Sequence, residues 1–292
     1  MPISKGVSAR LLKVVDAFTI EQPIWTAEAL SANLGYALPT CYRYLKDLTD
    51  AGFVQRVPGG RYSLGYRIIA LDHILRHSEP ILQVAVPVMR ELASRVRCDS
   101  MLSTLYGQEI WTTHHELGGV RPVGGLDARG LKRPLFRGAG SKIILANLPT
   151  GKLRALYEAN PEDARSAGMG DSWQKFRSIV GAIRKKGYQI SIGEIRPETS
   201  ALAVAIYSPD RTEVRALQLV ATNEHFALID KSALATLAIQ AASQITYALM
   251  HPRSGSNGGD QSDGLDSIRR IALRPAAASA ITEATASAIV VP

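Results

Sequence analysis

The run Leu34-Gly35-Tyr36-Ala37-Leu38-Pro39-Thr40-Cys41-Tyr42-Arg43-Tyr44-Leu45-Lys46-Asp47-Leu48-Thr49-Asp50-Ala51-Gly52-Phe53-Val54 constrains this chain more than any other stretch. It reads as a turn, one short helix, a glycine stop and the start of a strand. Leu38, Cys41, Leu45 and Leu48 recur at steps of three and four, which makes one buried helical stripe. The opposite face then carries Thr40, Arg43, Tyr44, Lys46 and Asp47, with Tyr42 near its edge. Tyrosines beside an arginine on an exposed face call for a flat or anionic partner. The stretch therefore predicts the recognition helix of a winged helix-turn-helix. An ordinary surface helix with amphipathic tyrosines is the competing reading, and the neighbouring residues discriminate between them.

Those neighbours follow a specific order. Val7, Leu11, Leu12, Val14, Val15 and Phe18 predict a first helix over residues 7–20, broken by Glu21-Gln22-Pro23. Thr26 is a good N-cap for a second short helix, Ala27 to Leu34, closed by Gly35. Pro39 falls in the first turn of the third helix, where a missing N–H costs nothing, and Gly52 is placed to end it. Phe53 to Val57, the turn Pro58-Gly59-Gly60, and Arg61 to Leu64 make a β-hairpin, here a wing. Such a unit lays its helix in the DNA major groove while wing arginines reach the backbone. The candidate DNA contacts are Thr26, Thr40, Tyr42, Arg43, Tyr44, Lys46, Arg56 and Arg61.

These residues resemble the DNA-binding half of the IclR family of bacterial transcriptional regulators. The resemblance rests on Thr40-x-Tyr42-Arg43-Tyr44-Leu45-x-x-Leu48-x-x-Ala51-Gly52-Phe53-Val54 and on the wing run Gly60-Arg61-Tyr62-Ser63-Leu64-Gly65. Ala37 departs from it, standing where a Ser or another polar cap is usual. The resemblance implies an α+β chain: an N-terminal winged helix-turn-helix joined by a linker helix to a GAF-like α/β effector-binding domain. The expected boundaries are 4–67 for the DNA-binding domain, 68–79 for the linker helix, 80–250 for the effector domain and 251–292 for a disordered Gly/Ser- and Ala-rich tail.

The 292 residues suit two modest domains, and 46% hydrophobic content is ample for their cores. Lys+Arg 34 against Asp+Glu 26 leaves a net +8, which favours an anionic partner without naming it. Two cysteines, Cys41 and Cys98, exclude a disulfide scaffold and fit a reduced compartment. No secretory signal and no apolar run of bilayer-spanning length is read, so a cytoplasmic protein without membrane contact is expected. Neither His73/His77 nor His114-His115-Glu116 is read as a metal site, since adjacent strand histidines point to opposite faces. No metal or cofactor is expected.

Beyond the linker, Ile81 to Arg97 reads as a helix, 101–106 and 110–115 as a hairpin, and 117–133 as an irregular Gly- and Arg-rich loop. Pro134 to Ala146 is a glycine-rich turn feeding an apolar helix, whose free N–H groups can hold a carboxylate. A turn built for packing alone is the alternative. The segment resembles the family's effector-domain turn in Pro134, Leu135, Ala139, Lys142, Leu145 and Ala146, with Phe136 and Ser141 departing from it. The resemblance implies an effector carboxylate near Ala139 and Gly140. It also implies a pocket lined by Ser191, Thr199, Ala201, Gln218 and Val220, in which the apolar Ala201 and Val220 favour a larger aromatic or aliphatic acid.

The leading expectation is a regulator of a catabolic operon, controlled by a small organic acid (aromatic or keto) and acting on a double-stranded DNA operator as a homodimer or dimer of dimers. A small-molecule-binding enzyme with an accessory winged helix is the rival, but no Gly-x-Ser-x-Gly, His-Glu-x-x-His or paired-cysteine signature appears. An RNA-binding or structural adaptor is a third reading, which would need no pocket behind a glycine turn.

Overall fold

The structure, a computed structural model, describes residues 6–118 and 128–252. The expected tail beyond 252 and most of the loop after Gly118 lie outside the described residues. In the N-terminal part, α1 (Val7–Asp16), β1 (Trp25–Thr26), α2 (Ala27–Leu34), α3 (Leu38–Asp50), β2 (Val54–Val57) and β3 (Arg61–Leu64) follow in order. Helix α1 stops four residues earlier than its pattern predicts, and Val7 and Leu12 are exposed rather than buried. Thr26 caps α2 by accepting from the Ala29 N–H at 3.1 Å. Ala37 stands at the N-cap of α3 without a side-chain bond, and Pro39 lies in the first turn.

The end of α3 explains its glycine. The Phe53 N–H donates to Leu48 O at 2.9 Å and the Gly52 N–H to Thr49 O at 3.0 Å. That pair of bonds is a Schellman ending, which needs the left-handed φ of +77° at Gly52. The wing closes with Val57 opposite Arg61, and β1 adds a third strand through Trp25 opposite Tyr62.

One sequence expectation is overturned here. Tyr44 is buried, packed edge-on against Tyr36 at 6.1 Å in the small N-terminal core, whereas Leu38 is exposed. The inward stripe is Cys41, Tyr44, Leu45 and Leu48, the i, i+3, i+4, i+7 set of one helical face. Leu38 falls one turn beyond the end of that core.

Helix α4 (Arg67–Ser78) carries no buried residue, and α5 (Pro80–Val96) follows it. The rest comprises β4 (Asp99–Tyr106), β5 (Glu109–Glu116), β6 (Lys132–Arg133), α6 (Ala139–Asn147), α7 (Thr150–Ala159), α8 (Pro161–Ser166), α9 (Trp173–Lys186), β7 (Tyr188–Ile192), β8 (Thr199–Tyr207), β9 (Val214–Thr222), α10 (Asn223–Leu228) and α11 (Lys231–Met250). The six strands form one antiparallel sheet in the order β6-β5-β4-β9-β8-β7. Strand β6 corrects the expectation of irregular loop through residue 133.

Period-two alternation sorts the sheet into two faces. Leu102, Leu202, Val204, Ile206, Leu217 and Leu219 pack with α5 and α11 in one core. Ala203, Val214 and Ala216 turn the other way, toward Ile143 and Ile144 of α6 and Phe176 and Val180 of α9. Each large apolar side chain so buried contributes about 1.5–3 kcal/mol before entropy is charged against it. Helix α11 has the length and mean hydropathy, 1.3, of a bilayer crossing, which the sequence reading did not find. Its stripe from Leu234 to Ile245 is nevertheless occupied in the first of these cores.

A bulge in β5 precedes its two histidines, which then face opposite ways by ordinary alternation. Leu102 pairs with His114 and Ser103 with Thr112, so Thr113 is extra and the facing of the strand changes there. His114 meets Glu116 at 2.9 Å, and Glu116 also pairs with Arg90 of α5. His115 instead lies buried 3.3 Å from Asp99. Among the described residues no cluster could hold a metal ion. Both cysteines are buried, and burial, with the Asp99 charge adding to it, pushes the Cys98 thiol up to about 12.

Candidate functional site

Two surfaces bear chemistry. The first is the outer face of α3 with the wing. Arg43, Lys46, Arg56 and Arg61 are exposed there, and Thr40 is half-buried. Arg43 lies 5.4 Å over the Tyr44 ring and Arg56 lies 5.8 Å over Tyr62, so two core tyrosines carry cations on their outer edges. Tyr44 thus supports this face from beneath rather than forming part of it. The Arg61 Nε–H donates to Pro58 O at 2.9 Å, which stiffens the wing turn. Thr26, besides capping α2, pairs with Arg61 across the sheet.

Tyr42 is half-exposed, and its hydroxyl donates to Glu28 Oε1 at 2.7 Å. That bond holds the Glu28 carboxyl below, and the Tyr42 phenol above, their ordinary ranges. Glu28 was not singled out in the sequence, because an acidic residue in a first helical turn has an ordinary role there.

The second surface is a cavity of about 60 Å³ on the α6 side of the sheet. Ala139, Gly140, Ser191, Thr199, Ala201, Gln218 and Val220 all line it. The register explains the convergence: Ser191 pairs with Ala201 and Ala201 with Val220, while Gln218 pairs with Met101 one step along. All therefore share one face. The backbone at Gly140 approaches Gln218 so closely that a Cβ there would sit 2.3 Å from the Gln218 Cδ. Gln218 in turn donates to Ser103 Oγ at 2.7 Å.

The N-terminus of α6, expected to offer free N–H groups, is engaged at its first two positions. The Gly138 N–H donates to Glu194 Oε2 at 2.8 Å and the Ala139 N–H to Ser191 Oγ at 3.0 Å. Lys142, from the first turn, donates to Glu194 Oε1 at 2.7 Å. The chain's own Glu194 carboxylate thus sits at Gly138, next to the Ala139–Gly140 turn where a ligand carboxylate is expected.

The cavity also takes polar and charged side chains that the sequence did not bring forward. Met101, Ser103, Arg133, Arg137, Ser141, Glu194 and Arg196 line it as well. The Arg133 Nε–H donates to Thr112 Oγ1 at 2.8 Å, and its Nη2 lies 3.9 Å from Met101 Sδ. Burial first, then the nearby Arg196 charge, holds Arg133 below the ordinary arginine range. Arg133 was missed because Lys132-Arg133 read as loop; the shared parity of Met101, Ser103 and Gln218 was the signal that could have found the sheet wall.

Similarity to known proteins follows this geometry. The family model of the bacterial transcriptional regulator IclR C-terminal region matches residues 73–247, and that of the IclR helix-turn-helix domain matches residues 8–58. The HTH-type transcriptional regulator KipR of Bacillus subtilis is 24% identical over 207 residues, 71% of this chain and 82% of its own. A chain from Silicibacter sp. TM1040 assigned to the IclR transcriptional regulators superposes with a TM-score of 0.70 at 25% identity, covering 86% of this chain and 100% of that one. The fold is also that of an IclR homolog from Microbacterium hydrocarbonoxydans solved in complex with 4-hydroxybenzoate, with a TM-score of 0.66, 21% identity, and coverage of 84% and 99%. With both of its halves matched, a winged helix-turn-helix before an α/β domain holding a cavity, this chain belongs to the IclR family of bacterial transcriptional regulators.

Proposed function

We propose that the chain regulates a catabolic operon in the cytoplasm, and that a small aromatic or keto acid in the α6 cavity modulates its hold on a DNA operator. The observation that carries this reading is the convergence of residues from α6, β7, β8 and β9 on one cavity at the start of α6. The 4-hydroxybenzoate bound by the Microbacterium homolog supports an aromatic acid as one candidate. The DNA-binding domain of this reading is 4–67, the linker 68–79 and the effector domain 80–250. Thr26, Thr40, Tyr42, Arg43, Lys46, Arg56 and Arg61 face the operator, while Tyr44 shapes the helix from within.

The chain acts as a homodimer. Ile69, Ile74 and Leu75 of α4 are more than half exposed, apolar surface on several sides of the helix that a second copy would take out of water. A sedimentation mass of one chain at micromolar concentration would overturn this. The linker also touches the effector side, since Arg129 Nη2 donates to Asp72 Oδ1 of α4 at 2.8 Å. An acid that prefers one arrangement of this contact shifts the spacing of the two recognition helices, with couplings of about 1–3 kcal/mol typical.

The test is Arg43→Ala on an operator fragment selected from genomic DNA. Operator affinity should fall by about 1–3 kcal/mol, with the protein still folded. Unchanged binding in a mobility shift at fixed salt would remove the recognition-helix assignment.

A further inference from the structure

Among the described residues, Arg133 is a cavity-lining cation that no carboxylate neutralises. Arg133 projects from the edge strand β6 into the space faced by Met101 and Gln218. Its partners are a threonine hydroxyl and a thioether sulfur, both uncharged. Among the described residues no carboxylate pairs with it. A guanidinium has five N–H donors in a planar fork, and two such neutral contacts leave most of that fork turned to the cavity. Glu194 is balanced by Lys142 and the Gly138 N–H, and Arg137, which among the described residues also meets only uncharged atoms, is solvent-exposed where it donates to the Ser166 carbonyl at 3.0 Å. The α6 N-terminus has given its Gly138 and Ala139 N–H groups to Glu194 and Ser191.

We infer that Arg133 is the anion-recognising residue of this cavity: a small carboxylic acid enters with its carboxylate on the Arg133 guanidinium. This rests on the reading that the cavity is the effector site. The physical argument is one of charge compensation. A half-buried guanidinium without a counter-charge keeps a desolvation cost that only an arriving anion offsets, and the fork geometry matches a carboxylate in bidentate fashion. The remaining ligand surface then lies along Ala201 and Val220, and the Ser191 hydroxyl, which accepts from the Ala139 N–H, still has its own proton to donate.

Calorimetric titration of the full chain tests this with benzoate, 4-hydroxybenzoate and pyruvate, against benzamide and 4-hydroxybenzamide as uncharged counterparts. The variants are Arg133→Met and Arg133→Lys, with Ser191→Ala as a change elsewhere in the cavity. At least one acid should bind the unaltered protein more tightly than its amide. Arg133→Met should weaken that acid about 10- to 100-fold and leave the amide unchanged, while Arg133→Lys retains part of the difference. Acid binding undiminished in Arg133→Met would overturn the assignment to Arg133 while leaving the cavity as the effector site, above all if Ser191→Ala weakens it. Equal losses of acid and amide in Arg133→Met would overturn it too, as the mark of a wall residue. If no acid binds the unaltered protein at millimolar concentration, the effector reading itself falls and the assignment with it.

Discussion

Gly65→Ala should be among the most damaging single changes in the N-terminal domain, lowering stability by about 3 kcal/mol and abolishing operator binding at physiological temperature. Gly65 follows the last wing strand, and its N–H donates to Phe53 O at 2.8 Å. Two residues on, the Arg67 N–H donates to Gly52 O at 3.2 Å, so the chain leaving the wing is bonded back to the end of α3. A Cβ on residue 65 would stand 2.2 Å from Gly52 O and 2.9 Å from Gly52 C. Those atoms are backbone, locked in the Schellman ending of α3, and cannot swing aside as a side-chain tip can. Relief requires parting the wing from the recognition helix and losing both hydrogen bonds. In thermal unfolding of the full chain the N-terminal transition should drop by roughly 10 °C or more. Gly181→Ala is the matching control: no atom lies within 4 Å of its added Cβ, it sits inside α9, and it should be neutral or slightly stabilising. A Gly65→Ala protein that melts with the unaltered one would refute the close-contact explanation.

The ion pair under the cavity is the second place where one substitution should be expensive. Lys142 is nearly buried, and its side chain and that of Glu194 are 10% and 27% exposed. Lys142→Met leaves Glu194 held by the Gly138 N–H and the helix N-terminus alone, and should cost about 2–3 kcal/mol, below the 3–5 of a wholly buried pair because Glu194 keeps some water. Glu194→Gln should cost at least as much, since it strands the more deeply buried Lys142 ammonium without a counter-charge, although an amide oxygen can still accept from Gly138. The double variant should be more stable than the sum of the single losses, because no lone charge remains. Chemical denaturation of the four proteins measures this cycle, and strict additivity would mean that the pair contributes nothing beyond its separate residues.

How legible the molecule was depends on the range of the forces involved. The caps at Thr26 and Gly52, the glycine turn of the wing and the stop at Gly35 act within a few residues, so their elements stood close to where the pattern put them. Tyr44 was misplaced because a tyrosine is amphipathic, and helical spacing alone admits two neighbouring stripes. Tyr36, eight residues earlier, supplies the contact that selects the inner one. Strand β6 was missed because two residues carry no periodicity, and only Ile110 and Trp111 across the sheet make them a strand.

By itself, the sequence determined the winged helix, the alternation of two-faced strands and the glycine turn before α6, since each follows from local conformational preference and hydrophobic period. It also brought forward seven of the residues that line the cavity, through resemblance to a family rather than through spacing. Only the tertiary structure decided the electrostatics of that cavity. Glu194 reaches the α6 N-terminus from 56 residues away, Ser191 from 52, and Arg133 enters from an edge strand. Charge interactions act through space and burial, not along the chain, so no local pattern could show that Glu194 reaches the start of α6 or that Arg133 has no carboxylate partner among the described residues.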